Sequence, residues 1–274
     1  MKDLLGRTFD FATPPSRVVS LVPSLTETLF DLGGGDDVVG ITDFCIFPEG
    51  IERPRVGGTK NPRIEQIRAL SPDVVYMNLE ENTERHAKAI EEFAPVFVTE
   101  PKTVDDVSSL IEILGTIHRR SERARELTVA LANERGSIAR FTFAVPIWKK
   151  PWMWCGGDTY VSNLVESIGG TNVLGDRERY PSLAIEDVLA LRPEIIFLPD
   201  EPYEFSADDA AEIRGPRVIG PFPGHLFTWH GTRTILGLRF LRDRFGGPVS
   251  RGGRGEAEKS RASAPPRSPR EPFP

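Results

Sequence analysis

The sequence predicts an α/β fold of two Rossmann-like lobes with parallel sheets, joined by one long helix and followed by a disordered C-terminal tail. Short β-branched runs alternate with helical segments, and one helix–strand pattern occurs twice along the 274 residues. A stretch of helical periodicity separates the two copies. We therefore expect an N-terminal lobe at residues 1–102, the interlobe helix at 103–140, a C-terminal lobe at 141–245 and the tail at 246–274.

The first predicted elements are a strand, a helix and a second strand. Arg17–Val22 is a β-branched run, and Ser24 with Glu27 has the spacing of a capping box, which predicts that a helix begins there. The three glycines at 33–35 end that helix, and a second strand begins at Val38. This order predicts parallel strands that are joined by helices.

One pattern is repeated along the chain. Residues 64–75 read IEQIRALSPDVV, and residues 185–196 read IEDVLALRPEII. A second pair follows in the same order, with LFDLGGGDDVVG at 29–40 and LVESIGGTNVLG at 164–175. Helices that end at proline or paired glycines also recur by chance in α/β proteins. The identical residues at matched positions favour two similar lobes over that alternative.

Residues 103–140 carry the pattern of the interlobe helix. Thr103 and Asp106 have capping spacing, and apolar residues recur every three or four positions after them. A continuous helix of this length would measure about 50 Å, at about 1.5 Å per residue, and would cross both lobes. Gly115 and Gly136 weaken the pattern locally. Beyond residue 245 Gly, Pro, Ser and Arg dominate, which predicts the disordered tail.

Composition and charge exclude several classes of protein. The net charge is −6, so no nucleic-acid partner is expected. Apolar runs are far shorter than the roughly 18 residues of a transmembrane helix, so no transmembrane segment is expected. The sequence lacks GxSxG, Walker A, HExxH and CxxC motifs, and it therefore does not predict an enzyme.

Two features bear on cellular location. Cys45 and Cys155 are the only cysteines, which leaves either one disulfide or two free thiols. The first 17 residues contain no apolar core of the length that an export signal requires. The sequence as given therefore predicts a cytoplasmic protein, or a periplasmic or other extracytoplasmic one if the start site is truncated.

Several segments together resemble the class III periplasmic binding proteins, the cobalamin, haem and iron-chelate receptors of ABC importers, including the branch called helical backbone metal receptors. The segments are RVVSLVPSLTETLFDLG, VGGTKNPRIEQIRALSPDVV, the central helical stretch, PIWKKPWMWCGGDTYVSNLVESIGGTNVL and LAIEDVLALRPEIIFLPDEPYEF. The resemblance runs from about residue 17 to about residue 241. It implies two lobes joined by a rigid helix, a ligand cleft between them, no enzymatic turnover and no intrinsic cofactor.

The resemblance also implies a function. A substrate-binding protein of this kind captures a metal chelate, such as cobalamin or another corrinoid, haem or a ferric siderophore, and delivers it to a dimeric ABC permease. The first alternative is a cytoplasmic protein with the same fold that stores, senses or inserts a metal cofactor and has no transporter partner. The second is an enzyme on a chelatase-like scaffold of two lobes.

The ligand cleft is expected at the carboxyl ends of the strands, where open α/β sheets bind ligands. Cys45 and Phe47 follow the second strand, and Phe47 lies where the resemblance implies an aromatic ring facing a corrin. Asn78, Glu80 and Glu81 follow a buried strand and could form hydrogen bonds to amide or carboxylate groups of a chelate. Core packing of Phe47 and an ordinary exposed loop at 78–82 are the alternatives. Lys60, in the second resembling segment, completes the predicted polar set.

Three of the four tryptophans lie within seven positions. This density at Trp148, Trp152 and Trp154 has no regular period, which favours a face for a flat ligand. The alternative is that they fill a core, because tryptophans are mostly buried in any role. We expect Trp148 and Trp152, together with Trp229, to contact the ligand. Asp158 is expected to cap the helix that follows.

Two of the four histidines precede the last helix. His225 and His230 are five residues apart, a spacing that does not place both rings on one helical face. A preformed metal chelate is therefore not predicted. A single axial ligand to bound iron or cobalt, supplied by His230, is the metal role that the sequence offers.

Glu65 and Glu186 occupy matched positions in the repeat. Each is the second residue of a predicted helix, so both are expected to point outward on equivalent surfaces of the two lobes. The resemblance implies that they dock onto arginines of the two permease subunits. The alternative is that each simply complements the helix dipole, with no partner.

Overall fold

The computed structural model describes residues 2–245, and the tail predicted at 246–274 lies outside the described residues. Strands and helices alternate through most of this range, and every pairing within the two large sheets is parallel. The predicted α/β fold with two parallel sheets is thus confirmed. No helix among the described residues is both long enough and apolar enough to span a membrane.

The N-terminal lobe contains the first four strands. In chain order its elements are β1 (Val18–Ser20), α1 (Pro23–Asp31), a 3-10 helix (Gly35–Asp37), β2 (Val38–Ile41), α2 (Ile64–Ala69), β3 (Val74–Asn78), α3 (Glu84–Glu91) and β4 (Val96–Thr99). The strand order in the sheet is β2-β1-β3-β4. The strands are nearly continuous runs of buried residues, because helices cover both faces of a parallel sheet.

The segment predicted as one long helix is instead two helices. These are α4 (Val104–Ile117), which begins with the predicted capping box of Thr103 and Asp106, and α5 (Ser121–Glu134). Arg119 between them has a φ of 55°, a left-handed conformation that interrupts the helix. The prediction of a single helix across both lobes is therefore wrong.

The two helices pack against each other in antiparallel orientation. Arg135, just beyond the end of α5, forms an ion pair with Asp105 in the first turn of α4. Near the turn, a Cβ at Gly115 would collide with the side chain of Ala124. Gly115, which weakens the predicted helix, is thus the position at which α5 folds back onto α4. Each of the two helices is only about 21 Å long.

The C-terminal lobe contains the second large sheet. Its elements are β5 (Phe141–Ala144), β6 (Pro146–Trp148), β7 (Met153–Trp154), α6 (Tyr160–Glu166), β8 (Gly170–Asn172), α7 (Ile185–Ala190), β9 (Ile195–Pro199), α8 (Ala207–Glu212), β10 (Arg217–Phe222), α9 (His225–Thr228) and α10 (Arg233–Phe245). The strand order is β10-β9-β5-β8, and β6 and β7 form a separate antiparallel pair.

The repeated sequence pattern forms the same structure in both lobes. The helices α2 and α7 begin at equivalent positions of the repeat, as do the strands β3 and β9. Even the turn between helix and strand matches, since Ser71 and the equivalent Arg192 both have positive φ, 46° and 56°. The sequence repeat therefore reflects two lobes of like architecture.

Candidate ligand-binding cleft

The carboxyl ends of the two sheets meet along a seam between the lobes. On the N-terminal side the seam consists of the start of α1, the loop after β2 and the loop after β3. On the C-terminal side it consists of the loop before α7 and the segment between α9 and α10. This is the edge at which open α/β sheets bind ligands.

His230 lies in the middle of the seam. Its Nδ1 is 3.3 Å from Ser24 Oγ, and its Nε2 is 3.2 Å from Asn78 Nδ2. The side-chain oxygen of Asn78 accepts the backbone N–H groups of Glu80, at 2.8 Å, and Glu81, at 3.3 Å, so the amide nitrogen must face His230. Nε2 is therefore the acceptor, and the neutral ring carries its proton on Nδ1, toward Ser24.

Burial keeps His230 uncharged. Its exposed fraction is 8%, and desolvation lowers its pKa to about 4. A metal ion at this ring would have to displace Ser24 or Asn78. Among residues 2–245, no cluster of three or more His, Cys, Asp or Glu side chains could hold a metal. The axial-ligand role of His230 stays a prediction.

Glu27 and Arg233 form an ion pair beside this histidine. Arg233 Nε donates to Glu27 Oε2 at 2.8 Å, and Nη2 donates to Oε1. The two side chains are only 12% and 6% exposed, respectively. Burial raises the pKa of Glu27, and the hydrogen bond from Arg233 opposes that rise. The guanidinium carbon also lies 3.7 Å from the centre of the Phe47 ring, so one cation of the C-terminal lobe contacts two segments of the N-terminal lobe.

The capping box predicted for Ser24 and Glu27 does not form. Helix α1 begins with Pro23 at its first position, its N-cap is Val22, and no side chain caps it. Ser24 and Glu27 are buried and turn toward the C-terminal lobe instead. The two residues whose spacing predicted a local role are thus part of the contact between the lobes.

The backbone of the C-terminal lobe approaches α1 closely at Gly231. This residue has a φ of +85°, and a Cβ there would collide with Thr28 Oγ1. The next residue, Thr232, donates its backbone N–H to the same oxygen at 3.2 Å. Any residue with a side chain at position 231 would therefore have to move the lobes apart.

The predicted aromatic residues divide into two groups. Phe47 and Trp229 meet across the seam with ring centres 5.8 Å apart and planes at 80°. The His225 ring is 5.1 Å from Phe47, and the indole N–H of Trp229 donates to Glu201 Oε1 at 3.0 Å. This group therefore forms an edge-to-face aromatic contact between the lobes.

The second aromatic group lies within the C-terminal lobe. Trp148 packs edge-on against Tyr203 at 5.4 Å between ring centres. Trp152 stacks between Trp154, at 5.5 Å, and Phe205, at 5.8 Å. Both predicted residues are half-buried and follow β5, at the carboxyl edge of the sheet. Their contact with a ligand stays a prediction.

Cys45 has no surface in the seam. Both cysteines are free and buried, and Cys45 Sγ lies 3.2 Å from the hydroxyls of Thr26 and Thr42. Its exposed fraction is 0%, and burial raises its pKa. The position follows β2 as predicted, but the thiol points into the core and offers a ligand no surface.

The outer end of the seam is a cluster of charges around Glu80. Glu80 Oε1 is 3.0 Å from Arg179 Nη1, and Oε2 accepts the Tyr180 hydroxyl at 3.2 Å. Lys60 Nζ donates to the backbone oxygen of Glu80 at 2.7 Å. Arg179 Nη1 also lies 3.4 Å from Glu100. The structure thus brings together the predicted polar residues from two loops and joins them to the opposite lobe.

The sequence analysis did not identify Arg179 and Arg233 as residues of the seam. The sequence does indicate that Arg233 is buried, because it lies four residues before Gly237 and eight before Leu241 on the buried stripe of α10. A charge on such a stripe requires a partner. Arg179 follows no periodic pattern, and nothing in its sequence neighbourhood indicates its role.

Glu65 and Glu186 lie in the first turns of the equivalent helices α2 and α7. Both are exposed, and Glu65 Oε2 is 3.6 Å from Arg68 Nε within its own helix. Their placement on matched surfaces agrees with the repeat. Docking stays a prediction.

A family model described as a periplasmic binding protein matches residues 18–214, which include both sheets up to the last strand. The chain belongs to the periplasmic binding protein family. Because members of this family are substrate-binding proteins, the chain is a substrate-binding protein and not an enzyme. The match begins at β1 and contains most of the residues that build the seam.

Curated relatives of this periplasmic binding protein include the vitamin B12-binding proteins of two Vibrio species. The protein of Vibrio parahaemolyticus is 26% identical over 194 residues, which are 67% of this chain and 70% of the relative. That of Vibrio cholerae is 26% identical over 212 residues, 71% of this chain and 77% of the relative.

Solved structures share the fold. The periplasmic vitamin B12 binding protein of Vibrio cholerae matches with a TM-score of 0.70 and 21% identity, covering 85% of this chain and 97% of that one. The periplasmic heme-binding protein of Roseiflexus gives a TM-score of 0.72 and 21% identity, covering 84% and 97%. An ABC-type Fe3+-hydroxamate transport protein of Saccharomonospora viridis gives 0.67 and 23%, covering 88% and 97%.

Proposed function

We propose that this periplasmic binding protein captures a metal chelate in the cleft between its lobes and delivers it to an ABC permease. The observation that carries the proposal is the similarity to vitamin B12-binding proteins over two thirds or more of the chain. A corrinoid is therefore the first candidate ligand. Haem and ferric hydroxamates follow, because proteins named for them share the fold.

The chemistry of the seam supports a large, flat ligand with polar edges. Phe47 is half-buried, and Trp229, at 7% exposure, packs edge-to-face against it. Aromatic rings of this kind bury much area at a low cost in side-chain entropy. Ile46 and Leu79, in the loops after β2 and β3, are 42% and 49% exposed, so they add apolar surface that the described part of the chain leaves partly uncovered. Asn78 and the charges around Glu80 offer hydrogen bonds at the rim.

Native mass spectrometry tests the capture of a chelate. The protein is incubated with cyanocobalamin, hemin and ferrichrome in parallel, and we expect one of them to add a single ligand mass to each chain. Binding of cyanocobalamin alone would agree with the sequence similarity to vitamin B12-binding proteins. Failure of every chelate to bind would reject the proposal.

The proposal includes delivery by docking through Glu65 and Glu186. Two equivalent acidic residues on similar lobes suit a permease with two equivalent subunits. Replacing both with glutamine should leave chelate affinity unchanged and weaken permease binding, with a loss that shrinks at high salt. The matched control replaces Glu112 and Glu122, two exposed glutamates of the α4–α5 pair, and should leave permease binding intact.

Cellular location distinguishes the proposed importer receptor from a cytoplasmic protein that handles a metal cofactor. Delivery to an importer requires an extracytoplasmic protein, and the proposal therefore includes that location. A cytoplasmic protein that handles a metal cofactor would bind a chelate equally well and would ignore the permease. Fractionation of cells that express the natural gene, followed by the docking experiment, distinguishes the two functions.

A further inference from the structure

Two of the ion pairs that cross the seam differ in kind. Glu27 and Arg233 are buried and joined by two parallel hydrogen bonds, the arrangement that holds a guanidinium most firmly. Glu80 is 30% exposed and Arg179 is 47% exposed, and Glu80 is held through a single guanidinium nitrogen. The first pair is part of the packed interior, whereas the second is open to exchange with solvent or solute.

The backbone of Arg179 is held in an uncommon conformation. Its φ of 56° lies in the left-handed region, which costs free energy in a residue with a side chain. Its N–H donates to Asp158 Oδ1 at 2.5 Å, and its carbonyl accepts the Gly156 N–H at 2.8 Å. A Cβ at Gly156 would collide with the Arg177 carbonyl oxygen, so only glycine permits this approach.

Asp158 has a different role from the one that the sequence predicts. It does not cap α6, because the N-cap is Thr159, whose hydroxyl accepts the Ser162 N–H at 3.3 Å. Asp158 and Gly156 instead fix the backbone of Arg179, which aims its guanidinium at the opposite lobe. The strain at Arg179 is therefore maintained by two contacts from the loop that precedes α6.

We infer that Glu80 is a displaceable occupant of an anion-binding position formed by Arg179 and Tyr180, and that this position receives an acidic group on the rim of the chelate. The inference rests on the proposed function and adds a ligand class to it: chelates that carry a peripheral carboxylate. The Glu80 carboxylate already shows how such a group is bound, with one oxygen on the guanidinium and one on the phenol. Glu100 also contacts Arg179 but is 9% exposed and stays in place.

Charge balance determines which ligand groups can replace Glu80. When the carboxylate of a ligand takes the place of Glu80, the number of carboxylates paired with Arg179 is unchanged, and Glu80 moves into water. A neutral ligand group gains nothing from this exchange, because it would leave Arg179 with a weaker partner. Arg179 is therefore the specificity-determining residue, because it favours chelates that carry an acidic group, and Glu80 competes with that group for its guanidinium.

The test compares probes that differ only in their acidic groups. Hemin is paired with hemin dimethyl ester, and cyanocobalamin with the monocarboxylic acid made by hydrolysing one of its peripheral amides. Dissociation constants are measured for the wild type, E80Q and R179Q by quenching of tryptophan fluorescence. E84Q and R177Q are the controls, because Glu84 pairs with Lys88 and Arg177 pairs with Asp176.

We expect E80Q to tighten binding of the acidic probe about tenfold and to change binding of its neutral partner less than twofold. R179Q should weaken binding of the acidic probe by about tenfold and leave binding of the neutral probe unchanged. Equal effects on both members of a pair, or no effect of R179Q, would overturn the inference while leaving chelate capture intact. If ferrichrome binds but neither pair binds to the wild type or to E80Q, this inference alone is overturned. If ferrichrome also fails to bind, the proposed function fails, and this inference fails with it.

Discussion

Arg233 binds both carboxylate oxygens of Glu27 from the opposite lobe and covers the ring of Phe47 with its guanidinium. This one side chain therefore joins the start of α1, the loop after β2 and the first residue of α10. The lobes are held in register by a buried charge pair as well as by apolar contacts. Such a pair contributes little net stability when it is intact, but it is costly to break on one side only.

Removing one partner of this pair should destabilise the protein strongly. R233M leaves the Glu27 carboxylate buried without its partner, and we expect a loss of about 3–5 kcal/mol in the free energy of unfolding. The double variant E27Q/R233M should recover most of that loss. Urea unfolding measures both. The control is R239M, because Arg239 pairs with Glu134 while 53% exposed, and its loss should stay below about 1 kcal/mol. Equal losses in the single and double variants would contradict this role.

A side chain at position 231 should separate the lobes. G231A places a methyl group against Thr28 in a residue of positive φ, and we expect a loss of about 3 kcal/mol or more. G50A is a matched control, because Gly50 has a φ of +73° but no atom within 4 Å of the added Cβ. It should lose only about 1–2 kcal/mol, the backbone cost alone. Similar losses for the two variants in thermal unfolding would show that the approach at Gly231 is not tight.

Acid should weaken the fold through two buried histidines. Desolvation lowers the pKa of both His230 and His118 to about 4, against about 6.5 in the unfolded chain. The unfolded chain therefore binds more protons between these values, so stability is full above about pH 6.5 and falls as the pH drops toward 4. Each group accounts for at most about 3 kcal/mol. In NMR titrations, the His230 ring should remain neutral at pH 5, and a midpoint near 6.5 would contradict its burial.

The aromatic contact across the seam should contribute to ligand affinity. We expect F47A to weaken chelate binding by about thirtyfold, because central aromatic residues carry a large share of binding free energy. F9A is the control, since Phe9 is a half-buried aromatic residue that contacts Phe97. W152A separates the two aromatic groups, and unchanged chelate affinity in that variant would exclude Trp152 from the site. Tryptophan fluorescence or absorption titration measures each affinity.

The features that could be predicted from the sequence were those with a periodic or repeated pattern. The repeat at Glu65 and Glu186 and the position of the loops after the strands followed from sequence patterns, because local packing alone sets them. Ser24 and Glu27 show the limit of such reasoning: their spacing fits a local cap, yet their partners lie more than two hundred residues away. Patterns of near neighbours cannot indicate a contact between lobes.

The break between α4 and α5 shows a second limit. Apolar spacing continues across residues 118–120, so periodicity alone predicted one helix. The left-handed turn at Arg119 and the close contact at Gly115 reverse the chain, and both depend on how α5 packs against α4. Arg179 is a third case, because its role depends on Asp158 and Gly156, which lie about twenty residues earlier in the sequence.

The central claim is that a metal chelate binds between the lobes, and a crystal structure of the protein with the chelate identified by mass spectrometry tests it most directly. We expect the chelate to lie between the loops after β2 and β3 on one side and Trp229 on the other, in contact with Phe47. A surface cavity of about 400 Å3 on the N-terminal lobe, lined in part by Arg7, Phe9 and Phe93, offers a different location. A chelate bound in that cavity, or anywhere outside the seam, would contradict the account.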